Sequence, residues 1–412
     1  LEHALSYRVP TVLAIPYDVA RREVGDVPAL EGPRPLPVPT PQDPFTTGAI
    51  EGLAADLAAA ERPLLLAGRG AWLSGAGEAL GRLADATGAL TATTALAQGL
   101  FPRTEFDLGV AGGFGTAGSK ATIGEADVVV VIGASLNQFT MRFGALLSPG
   151  TRIVQIDVAD SATHPHVGGY IRGDARYIVE QLLEHLERLN ARPAAWRDQV
   201  DVPALRAQER GEEVAADGLL DPRSAAIRIA ELLPEDRVVV SDGGHFIGWA
   251  NMYWPVASPD RMMMVGTAYQ SIGLGFPSVP GAAAARPDST VVLTSGDGGG
   301  LMALADLETA VRVAGGRCVC VVWNDHVYGA ETHVYGELGV ARGPMEIPET
   351  DFAQLAEAFG AEGVVVRRLE DLERLRTWSA EPPEERSLLM LDLRISENIV
   401  APYQEEILAK NR

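Results

Sequence analysis

Cysteine is almost absent from this 412-residue chain, and the two it has, Cys318 and Cys320, sit two apart in one apolar run. At that spacing in a strand both thiols share a face and cannot bridge each other comfortably, so no disulfide framework is available. With neither that framework nor a secretory signal, the cytoplasm is the expected compartment. The chain opens at Leu1, without an initiator methionine. Lysine is as scarce: Lys120 and Lys410 are the only two, so arginine carries nearly all the positive charge, a bias to which we attach no function. Long apolar runs are missing as well. The longest strand-like stretch lies near 128–132, far short of the roughly 20 residues that span a bilayer. Cationic residues number 34 against 55 acidic ones, a net charge of −21. That balance opposes unaided binding to nucleic acid or to an anionic membrane surface, because phosphates demand cationic neutralisation, and it reads as a well-solvated acidic exterior.

What is present is apolar residue, 47% of the chain, in a length sufficient for two or three domains with substantial cores. A short strand is expected at 11–15, then a proline-rich linker at 27–44 and a helix from about Thr47. Strands at 63–67, 127–133 and 152–157 alternate with helices, one ending near Thr87 and one over 177–189. A polar passage from about Asn190 to Leu220 leads to a second series of strands and helices that restarts at Ser224. Such alternation predicts an α/β fold, with two doubly wound parallel-sheet domains covered on both faces.

The most informative spacing lies in the second series. Gly296, Asp297 and Gly298 close one apolar run, and a second run delivers Asn324 and Asp325. Between them 301–314 reads as a helix about 21 Å long at 1.5 Å per residue, and 317–323 as a strand of about 23 Å. The chain goes out and returns. A right-handed strand, helix, parallel strand unit would set Asp297 and Asn324 side by side at the carboxyl edge of one sheet, where open α/β sheets bind ligands. One carboxylate and one amide oxygen beside glycines suit a magnesium ion holding a diphosphate.

This pattern resembles the thiamine diphosphate motif, GDG followed by NN, of the acetolactate synthase and benzoylformate decarboxylase group. The second Asn is Asp325 here. The resemblance implies thiamine diphosphate and Mg2+ as cofactors, with metal ligands from the side chains of Asp297 and Asn324 and the backbone carbonyl of His326. Asp325 thus departs from the motif without removing a ligand. Gly296, Gly298 and Gly299 would line the diphosphate. In the stretch 272–277, Ile272 takes the place of the apolar wedge that bends the cofactor, and the carbonyl of Gln270 would accept from its amino group. In 241–249, His245 either contacts a phosphate oxygen or caps the following helix. In 327–333, Gly329 would allow close phosphate approach, while Glu331 and His333 are candidate proton-transfer groups.

The resemblance extends over the whole layout. The stretches 61–70, 126–134 and 153–158 are similar to the family's middle domain, and 10–19 to the last strand of its pyrimidine-binding domain. The implied organisation is a remnant of that domain plus linker at 1–45, a central domain at 46–190, a linker at 191–220 and a diphosphate-binding domain at 221–412. The implied activity is cleavage or formation of the C–C bond next to a carbonyl, on a 2-oxo acid or an aldehyde or acyl substrate. The glutamate that activates the cofactor belongs to the pyrimidine domain, so this chain alone is expected not to turn over without such a domain from elsewhere. The complete enzyme would be a dimer or tetramer. Two other classes stay open: a non-catalytic cofactor-binding or regulatory subunit, and a nucleotide-binding oxidoreductase resting on the GxGxxG of Gly113, Gly115 and Gly118. The latter pattern needs a strand immediately before it, and 105–111 is not a convincing one, so a tight loop is preferred. FAD finds no support, since 134–144 departs from the arginine-and-aspartate pattern of the flavin-bearing synthases.

Overall fold

Uninterrupted apolar runs such as Val128–Ile132 have no polar face to turn toward water, which suits strands of a parallel sheet covered on both sides. The computed structural model describes residues 4, 11–23, 25, 44–266, 269, 271–336 and 338–411. It folds the first series into β1 (Pro63–Ala67), β2 (Leu90–Thr93), β3 (Asp107–Val110), β4 (Val128–Ile132), β5 (Arg152–Asp157) and β6 (Gly169–Arg172). These form one all-parallel sheet in the order β3-β2-β1-β4-β5-β6. Alternate residues serve opposite cores: Leu65, Val130 and Ile132 pack with Leu57, Leu80 and Leu182 on one face, while Leu64, Val129 and Val131 pack with Ile123 and Trp196 on the other. The helix Ala175–Arg188 starts where Asp174 accepts from the Tyr177 N–H, a side-chain cap for an otherwise orphaned donor.

The second sheet contains β7 (Arg237–Ser241), β8 (Met262–Met264), β9 (Thr290–Gly296), β10 (Cys318–Asn324), β11 (Glu362–Val366) and β12 (Leu389–Arg394), all parallel in the order β11-β12-β10-β9-β7-β8. One face carries Val239, Val292, Val321, Trp323 and Leu391 and packs with the buried Trp249, Trp254 and Trp378. The other carries Val240, Leu293, Val322 and the two thiols beneath Phe276, Leu307 and Phe352. Cys318 and Cys320 are free and buried, with their sulfurs 3.8 Å apart. In register, Gly296 pairs with Trp323, so the next residue on each strand, Asp297 and Asn324, falls at the same edge.

Several expectations need correction. The helix expected at 301–314 is two, Asp297–Met302 and Asp306–Ala314; the bend between them lays Leu307, Ala310 and Ala314 on the sheet. Residues 11–16 form no strand: Val12 is 93% exposed, with no ladder partner among the described residues. The expected linker at 27–44 lies outside the described residues, except that Pro44 opens the helix Pro44–Ala59. Residues 105–111 do contain a strand, the edge strand β3. Its left-handed Gly109 and a register shift against β2 disguise it in the sequence. The glycines after it nevertheless face the chain itself, for a Cβ on Gly113 would stand 2.4 Å from the Phe139 ring and one on Gly118 would stand 2.9 Å from the Leu205 carbonyl. The polar passage 190–220 is not a free linker, since Trp196 and Val202 are buried in the first domain.

The two domains meet at a ring cluster, Phe114 and Phe139 from the first and Tyr403 from the helix Pro402–Asn411. Beside it Glu406 accepts from Lys120 and, at 2.9 Å, from Arg142. Among the described residues no helix is long and apolar enough to cross a membrane.

Candidate functional site

β9 runs straight into a helix at Asp297 because Gly298, Gly299 and Gly300 carry no side chains; a Cβ on Gly298 would stand 2.6 Å from the Tyr328 ring. Asp297 is buried. Its Oδ1 accepts from the Gly298 N–H and its Oδ2 from the His326 N–H, both at 2.8 Å, so one carboxylate ties the β9 loop to the β10 loop. Burial and the nearby Asp325 charge push its carboxyl up to about 8, against the pull of those two bonds. Asn324 is buried next to it. Its Nδ2 donates to the Thr350 carbonyl (3.0 Å) and to Asp392 Oδ1 (2.8 Å), while its Oδ1 is buried with no hydrogen-bond partner. His326 holds a left-handed φ of 63°, and its carbonyl accepts from the Ile347 N–H at 2.7 Å, which leaves a second lone pair. A carboxylate, an unpartnered amide oxygen and a carbonyl are the oxygen donors that a hard divalent cation takes. Among the described residues there is no group of three or more His, Cys, Asp or Glu set to hold a metal.

Next to these donors lies a shallow cradle. Ile272, 39% exposed, sits over two glycines: a Cβ on Gly299 would stand 3.2 Å, and one on Gly243 3.4 Å, from its side chain. Ile272 lies in the loop before the helix that begins at Gly275. Asp242 pins that loop, accepting from the N–H groups of Gly243, Gly273 and Leu274 at 2.8, 3.1 and 3.1 Å and from the Ser295 hydroxyl at 3.1 Å. Gln270 lies outside the described residues.

His245 does not cap the following helix. Its Nε2 stands 3.0 Å from Asp325 Oδ2, and the cap position belongs to Phe246. Burial lowers the proton affinity of this imidazole, but the charge and hydrogen bond of Asp325 outweigh it, so His245 ends above the ordinary range. Gly329 serves that pair: a Cβ there would stand 2.2 to 2.5 Å from the His245 ring, so the glycine permits close approach by this imidazole. Gly329→Ala should therefore push His245 away from Asp325 and cost about 1–3 kcal/mol by overpacking. Urea unfolding measures the cost, and NMR titration should show the His245 pKa falling; unchanged values would refute the contact. His333 is half-buried, its ring 6.1 Å from that of His245, whereas Glu331 is exposed.

Sequence reasoning brought together Asp297, Asn324, His326, Ile272 and the glycines, but missed Asp242, Thr350 and Asp392. It gave Asp325 no role. The departure of Asp325 from the motif was the available signal, because a carboxylate in a buried strand end demands a partner.

A buried aspartate and asparagine beside glycines at the carboxyl edge of one doubly wound sheet, with a second such domain before it, define a class that comparison with known proteins makes specific. Residues 50–182 match the central domain of the thiamine pyrophosphate enzymes, and residues 242–381 match their C-terminal TPP binding domain. The chain belongs to this family. It is 27% identical over 375 residues to the acetolactate synthase isozyme 3 large subunit of Escherichia coli K12, covering 86% of this chain and 63% of the relative. It is 27% identical over 419 residues to the sulfoacetaldehyde acetyltransferase of Castellaniella defragrans (91% and 67%), and 29% identical over 399 residues to the 2-hydroxyacyl-CoA lyase of Arabidopsis thaliana (88% and 65%). The benzoylformate decarboxylase structure from Polynucleobacter necessarius shares the fold, with a TM-score of 0.69 at 17% identity over 93% of this chain and 70% of that one. The chain thus spans roughly two thirds of the length of these relatives.

Proposed function

We propose that the chain contributes the diphosphate-binding half of a magnesium-dependent thiamine diphosphate site that cleaves or forms the C–C bond next to a carbonyl, on a small 2-oxo acid or an aldehyde or acyl substrate. The observation that carries the reading is the buried, unpartnered Oδ1 of Asn324 beside the raised carboxyl of Asp297. Asp297, Asn324 and the His326 carbonyl would hold Mg2+, and the backbone from Gly296 to Gly299 would face the diphosphate. Ile272, fixed from below by Asp242, would support the ring end of the cofactor. When bound, thiamine diphosphate supplies the nucleophilic carbon and the electron sink for such reactions. His245, held by Asp325, is one candidate proton-transfer group, and His333, its ring 6.1 Å from that of His245, is a second.

Activation of the cofactor would require a pyrimidine-binding domain, carried elsewhere on a longer polypeptide or on a separate one. Support comes from the share of the relatives that these residues cover and from the exposed Tyr269, Ile272 and Leu274 at the edge of the cradle. An oligomer that brings the two kinds of domain together fits the same reading. The test is to incubate residues 1–412 with thiamine diphosphate, Mg2+ and pyruvate or benzoylformate, with and without an added pyrimidine-binding domain. Cofactor binding without turnover, and turnover on complementation, are expected. Turnover by this chain alone would overturn the need for a partner domain, and absence of cofactor binding would overturn the reading itself.

A further inference from the structure

An amide ligates a hard cation only through its oxygen, so a protein that uses Asn for this purpose must stop the side chain from presenting its NH2 instead. Asn324 ends β10 with both N–H bonds committed, one to the Thr350 carbonyl, which can only accept, and one to Asp392. Asp392 is fully buried in β12, two positions before the residue that pairs with Asn324. Its carboxylate is held in turn: Oδ2 accepts from the Phe352 N–H at 3.0 Å and from the Arg394 guanidinium at 2.9 Å, leaving Oδ1 for Asn324. A half-turn of the Asn324 amide would set its oxygen against a carboxylate and a carbonyl, both repulsive, and would aim its protons at the cation.

We infer that Asp392 is the positioning residue that fixes the Asn324 amide with its oxygen free for the cation, an inference that rests on the magnesium site proposed above. Asp392 touches no ligand. It acts by consuming the donor side of Asn324, in the way outer partners orient metal-bound histidines.

Mn2+ titration of the 412-residue chain in the presence of thiamine diphosphate, followed by electron paramagnetic resonance, tests this, with the metal-free thermal midpoint measured in parallel. Asp392→Asn should weaken Mn2+ binding about tenfold or more, the range found for outer partners of metal ligands. Asn324→Asp in the Asp392→Asn background should recover most of that loss, because a carboxylate has no donor to turn the wrong way. A merely structural role for Asp392 would not give this rescue. Asp392→Glu, which keeps the charge but shifts the acceptor, should show an intermediate loss and serves if Asp392→Asn fails to fold. A folded Asp392→Asn protein that binds Mn2+ within twofold of the parent would overturn the inference while leaving the cation site standing. Undiminished binding by Asn324→Ala would sink the cation site, and the inference with it.

Discussion

Asp297→Ala is expected to lose magnesium-dependent binding of thiamine diphosphate by at least about a hundredfold in calorimetric titration, since even partners once removed from a metal are worth about 10–100-fold. The side chain joins the two loops of the site, bonding Gly298 on one and His326 on the other. Truncation removes the anionic donor and frees the turn that presents the His326 carbonyl. Binding measured without magnesium should change much less, which separates loss of the ion from loss of the fold. Equal affinity in parent and variant with magnesium present would refute the metal assignment.

The second large effect is one of pH. The Asp297 carboxyl is raised to about 8 in the metal-free fold, whereas an unfolded Asp titrates near about 3.9. The folded state therefore holds the proton more tightly, and stability from this group is fully present below about pH 4 and is lost as pH rises through about 8. Without cation, thermal stability of the parent should decline over that window relative to Asp297→Asn, in which the slope disappears. A bound cation favours the ionised form and reverses the sign: stabilisation by Mg2+ with thiamine diphosphate should grow from pH 6 to pH 8. Binding should release up to about one proton below pH 8, readable as a dependence of the calorimetric heat on buffer ionisation enthalpy. Stabilisation that shrinks as pH rises toward 8 would contradict the assignment.

Much of this site was legible because its parts lie at strand ends. Apolar runs located β9 and β10, and parallel pairing then placed Asp297 and Asn324 together without further information. The break after Met302 and the edge strand β3 were hidden because local pattern cannot reveal where a helix must bend to meet a sheet, or that Gly109 interrupts a strand. Segment 11–15 had a strand's composition, but a strand exists only beside another. Partners distant in sequence were the least visible. Asp242 reaches Gly273 and Leu274, and Asp392 reaches Asn324, across intervals no motif spans. The packing at Gly329 was hidden for a related reason, since nothing local announces that His245 fills the space beside it.

The Tyr403 hydroxyl donates to the backbone carbonyl of His245, and the same ring is wedged against Phe114 and Phe139 of the other domain. One phenol is thus both a bearing for the domain junction and a tether on the loop that follows β7. A displacement of the central domain against this ring would pull on the peptide at His245, so the packing of the junction and the alignment of the His245–Asp325 pair are mechanically linked.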